Sequence, residues 1–130
     1  LENCQNAQTM LGAAHQILKP EGHLVVATGS RILVPFKKPL NYYLTESTSD
    51  TNCYRFSGNT LRGILAKNGF VVEYKNRYID HDVLCMISRK AEENEKIPWE
   101  KDDYREVLDF FDRWHNETQR YYPTTPANKN

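Results

Sequence analysis

The sequence predicts an α/β fold, the closing portion of an open sheet followed by a C-terminal amphipathic helix. Three observations lead there. Helix-like and strand-like segments alternate along the chain. One short apolar run, His23 to Thr28, lacks the strict alternation of a half-wet strand and reads as a parallel strand buried on both faces. Two later runs stand close enough to pair as an antiparallel terminal hairpin.

In chain order, Ala7 to Leu18 comes first, with Met10, Leu11, Ala14, Ile17 and Leu18 at helical spacing and Asn6 as N-cap. Lys19-Pro20-Glu21-Gly22 ends that helix, because proline forbids a further turn. The buried strand follows. Periodicity then collapses through residues 29–56, a segment long enough to be either a functional lid or a disordered insertion, with a short helix read near Leu40 to Leu44. Ser57 reads as the N-cap of a helix over Thr60 to Lys67, with Leu61, Ile64 and Leu65 inward. Asn68-Gly69 supplies its left-handed stop. Phe70 to Tyr74 and Val83 to Ser88 are the hairpin strands, joined through Tyr78 to Asp82. Residues 1–90 thus form one portion and residues 91–130 a second. The second holds a charged linker, an amphipathic helix over 101–120 and a polar tail. The helix has Tyr104, Val107, Leu108, Phe111, Trp114 and Thr118 on one stripe.

Composition excludes several classes. Seventeen basic and seventeen acidic side chains cancel, so no basic surface for nucleic acid is expected. The longest apolar run, Leu24 to Ala27, is far short of the roughly 20 residues of a membrane helix. No secretory leader is visible. Cys4, Cys53 and Cys85 are an odd number without a C-x-x-C pair, and read as reduced thiols of a cytoplasmic protein.

One set of residues carries a resemblance. Leu1-Glu2-Asn3 is followed by Leu18-Lys19-Pro20-Glu21-Gly22-His23-Leu24-Val25-Val26-Ala27-Thr28, then by Phe56-Ser57, Leu61, Leu65 and Gly69-Phe70-Val71-Val72. In these residues, and in the spacing from Glu2 to Lys19, the sequence resembles the C-terminal half of a class I, Rossmann-like S-adenosylmethionine-dependent methyltransferase. The resemblance covers residues 1–90. It departs from the family pattern at Asn3, where His is frequent, at Asn6, where Asp is frequent, and at Glu21, which replaces the first glycine of Pro-Gly-Gly. It implies that the chain begins just past the fourth strand. The Gly-rich cofactor loop, and the acidic residue that holds the ribose hydroxyls, would then lie upstream. The same resemblance implies S-adenosylmethionine as the cofactor and a small-molecule acceptor as the partner.

Ligands in open α/β sheets sit outside the carboxyl ends of the strands. By resemblance, Leu1, Glu2 and Asn3 lie beside the methionine moiety of the cofactor. Thr28, Ser30 and Arg31 open toward the acceptor. Arg31 suits an anionic group there, although a solvated loop arginine fits the sequence equally. Tyr42, Tyr43 and Tyr54 of the lid would exclude water, and Lys37 and Lys38 would attract phosphate or carboxylate. The same residues also read as a surface loop covering its own helix. His115, beside Trp114, is the one candidate general base, against a reading as a helix-contact histidine. His15 and His23 read as structural. His81 between Asp80 and Asp82 reads as ordinary turn chemistry, and no metal is expected. A reading of a different class is a non-catalytic α/β module that forms a homodimer through its sticky last helix.

Overall fold

Asn6 stands in extended backbone and its side chain accepts from the Thr9 N–H at 2.9 Å, which starts helix α1 at Ala7–Ile17. In the computed structural model, which describes residues 1–29, 32, 53–77 and 83–121, this helix leads into strand β1, His23–Thr28. Helix α2 spans Gly58–Lys67, and strands β2 and β3 span Phe70–Lys75 and Leu84–Lys90. The last helix, α3, spans Tyr104–Tyr121.

Ser57 caps α2 through a reciprocal box: its hydroxyl accepts from the Thr60 N–H at 2.9 Å, while its own N–H donates to the Thr60 hydroxyl at 2.8 Å. Gly69 ends the helix with φ of 78°. A Cβ there would stand 2.9 Å from His15 Nε2, and the His15 ring meets Phe70 edge-on at 5.2 Å. Glycine is required at that point on both counts. His15 is a packing residue, as its sequence context implied.

The sheet has the order β1-β3-β2, with β3 antiparallel to both neighbours. It follows that β1 and β2 run parallel to each other, connected through α2, with β3 inserted between them. Register places Leu24, Val26 and Thr28 on one face with Ser88, Met86 and Leu84. Phe70 and Val72 join that face from β2. Helices α1 and α2 cover it, and Leu11, Phe56, Leu61 and Leu65 complete the buried core. Hydrophobic burial of this kind supplies most of the driving force, at roughly 25 cal/mol per Å².

Two expectations are corrected here. Strand β1 is not buried on both faces: it alternates, and Val25 remains 61% exposed on the side away from the helices. Among the described residues its pairing is antiparallel only. The cause is that both helices lie on the same face. The apolar stripe of α1 is also narrower than its sequence suggested. Ala7, Leu11, Ala14 and Leu18 face the core, whereas Met10 and Ile17 are exposed.

The hairpin forms as expected, with a bulge between Val72 and Tyr74. Asn76 pins the end next to the connecting segment. The Asn76 N–H donates to Cys85 O at 3.0 Å, its Oδ1 accepts from Cys85 N–H at 2.8 Å and its Nδ2 donates to Val83 O at 2.8 Å. At the opposite end Arg89 grips Glu95 with two bonds of 2.8 and 2.9 Å and reaches Glu73 at 3.1 Å, which in turn meets His23.

Residues 91–102 are bound to α2 rather than free of it. Trp99 lies over Gly63, where a Cβ would come within 3.0 Å of the indole, and Lys67 stands 5.2 Å from the ring centroid. The Ser57 hydroxyl donates to Asp102 at the start of the helix. The chain divides into two compact units, Leu1–Val34 with Thr51–Asp102, and Pro35–Asp50 with Asp103–Asn130.

In the second unit Asp103 caps α3, accepting from the Arg105 N–H at 2.9 Å. Phe110 and Trp114 are buried, with ring centroids 5.5 Å apart, and Phe111 stacks on Trp114. Tyr104 and Leu108 are 65% and 57% exposed. The buried side of α3 is therefore centred on Phe110 and Trp114. Of the stripe read from the sequence, Trp114 is buried and Val107 and Phe111 are half-buried, while Tyr104 and Leu108 turn outward. No helix among the described residues is long and apolar enough to cross a membrane.

Candidate functional site

The carboxyl end of β1 gathers residues from three distant stretches of chain. Leu1 to Cys4 forms a turn, with the Cys4 N–H donating to Leu1 O at 3.3 Å and the Cys4 thiol to the same oxygen at 2.9 Å. That turn carries Glu2 beneath the end of the strand. Oε1 of Glu2 accepts from the Gly29 N–H at 3.0 Å, and Oε2 accepts from the Leu1 α-amino group at 3.2 Å. Partial burial alone would push this carboxyl up. Bonds from its own backbone N–H, the Gly29 N–H, the Thr28 hydroxyl and the α-amino group outweigh burial and hold it at about 2, against an ordinary 4.5. Glu2 is ionised at any physiological pH.

The backbone of Glu2 works as well. Its carbonyl accepts from Cys53 N–H at 2.8 Å and Tyr54 N–H at 3.2 Å. The Tyr54 hydroxyl then donates to Gln5 O at 3.2 Å and accepts from the Ala7 N–H at 3.3 Å, satisfying a free donor in the first turn of α1. Its ring stacks on Phe56 at 5.7 Å. Between these points, Ile32 N–H donates to Phe56 O at 2.9 Å. The chain leaving β1 and the chain returning to α2 are thereby tied to one another and to the Leu1–Gln5 segment.

Of the residues read from the sequence, Leu1, Glu2, Asn3, Thr28 and Tyr54 meet here. Thr28 is buried and Asn3 is exposed. Ser30, Arg31, Tyr42 and Tyr43, together with Lys37, Lys38 and the Asp80-His81-Asp82 turn, lie outside the described residues. His115 is exposed on α3, in the second unit. Sequence reading missed Gly29, whose N–H is the direct partner of Glu2, and Cys53, whose N–H meets the Glu2 carbonyl. No periodicity marks either one, because both act through the backbone. It also missed that the Tyr54 hydroxyl is engaged across 49 residues of chain.

Chemically, the cluster is an anchored strand end and no complete cradle. Oε1 of Glu2 is committed to the Gly29 N–H, and the Thr28 hydroxyl is directed to Glu2. Asn3 is the one of the three cofactor-side candidates with an exposed side chain. The residues described therefore do not by themselves fit S-adenosylmethionine. Among them, no group of three or more His, Cys, Asp or Glu stands together in a way that would hold a metal ion. Beside the cluster, an apolar cleft of about 180 Å³ runs between α1 and the outer edge of β1, lined by residues including Leu1, Met10, Ala14 and Val25.

No protein-family model matches this chain, nor does any curated protein or solved structure.

Proposed function

We propose that this chain is the closing half of a class I, Rossmann-like methyltransferase domain, which transfers a methyl group from S-adenosylmethionine to a small-molecule acceptor. On this reading the Gly-rich cofactor loop belongs to chain upstream of Leu1. The observation that carries the proposal is the unequal treatment of the two sheet edges. At the β2 edge a bulge and the exposed side chains of Glu73 and Lys75 guard the strand against further pairing. Among the described residues, strand β1 pairs with β3 without interruption and has neither lysine, proline nor bulge, while Val25 and the neighbouring Met10 are exposed. An unguarded apolar edge suits a strand whose sheet continues, and a continuing parallel sheet is what the resemblance implies. The parallel run of β1 and β2, with α2 between them and an antiparallel strand inserted last, supports the same reading.

Methyl transfer from a sulfonium asks the protein to align nucleophile, methyl carbon and leaving sulfur and to keep water out. The residues of this chain contribute alignment. Glu2 fixes the Thr28–Gly29 turn, and Tyr54 fixes the returning segment against it. Hydrogen exchange tests the edge. In the 130-residue chain, the β1 amides that point away from β3 are expected to exchange quickly. They are expected to become protected once the preceding ~100–150 residues, a domain's worth of chain, are restored. Equal protection in both proteins would count against the proposal.

One observation favours a second reading, an interaction module without catalysis. Tyr104 and Leu108 lie one turn apart on α3 and are exposed, which suits self-association. Sedimentation of the wild type against a Tyr104→Glu, Leu108→Glu double variant tests it. A dimer lost in the variant supports the module, and a monomer in both removes it.

A further inference from the structure

We draw no further inference here: the strongest candidate, the outer face of the sheet where Val25, Ile87 and Tyr74 lie side by side, carries none, because nothing in the structure shows what covers it.

Discussion

Glu2 holds the end of β1 as an acceptor only, so its protonation should loosen that end. Its folded pKa of about 2 lies below the ordinary 4.5. The unfolded chain takes up the proton first as pH falls. The stabilising contribution is therefore complete above the ordinary value and is lost progressively between about 4.5 and 2. Acid titration of the melting temperature should show a smaller drop across that window in Glu2→Gln than in the wild type. Glu95, held at about 2 mainly by its bond to Arg89, would supply a residual slope in both proteins. Identical slopes would mean that Glu2 is not the anchor of that strand end. Gly69 makes a second prediction at this scale. Gly69→Ala meets both a positive φ and the His15 ring, and should cost ~1–3 kcal/mol, measured by urea denaturation. Adding His15→Ala should restore only the part due to the clash, since the backbone strain remains. A Gly69→Ala protein as stable as the wild type would contradict this geometry.

At the scale of elements, local signals were read from the sequence correctly and environmental ones were not. Asn6, Ser57 and Asn68-Gly69 mark helix ends because each acts on backbone within a few residues of itself. The burial of β1 was misjudged because a run such as Leu24-Val25-Val26 does not disclose how many of its faces will be covered. The same limit applies to α3. Adjacent Phe110 and Phe111 allow two apolar stripes, and only tertiary contact selects between them. Phe110→Ala and Trp114→Ala should each cost ~3–5 kcal/mol, whereas Leu108→Ala should stay within about 0.5 kcal/mol. Thermal denaturation of the three variants checks the assignment, and a Leu108→Ala cost as large as that of Phe110→Ala would contradict it. The attachment of residues 91–102 to α2 was also invisible, because it rests on Trp99 finding the bare surface of Gly63 and on Asp102 finding Ser57. Asp102→Ala should lower stability by ~1 kcal/mol in the same assay, and an unchanged midpoint would show that the bond contributes nothing.

For the molecule as a whole, the candidate site was legible where it depends on strand ends and illegible where it depends on backbone partners. The sequence alone located Leu1 to Asn3 and Thr28 at one end of the sheet. It did not anticipate that Glu2 would be consumed in holding that end together. A carboxylate so engaged holds the Thr28–Gly29 strand end in place. The sheet as described has one guarded edge and one open edge, and the open one adjoins both the Glu2 cluster and the apolar cleft beside α1. A catalytic reading thus requires that cofactor affinity depend on further chain. Calorimetric titration with S-adenosylmethionine measures this directly. No binding or weak binding to the 130-residue chain is expected, and strong binding once the upstream ~100–150 residues are present. Tight binding by the 130-residue chain alone, or none by the extended protein, would contradict this expectation.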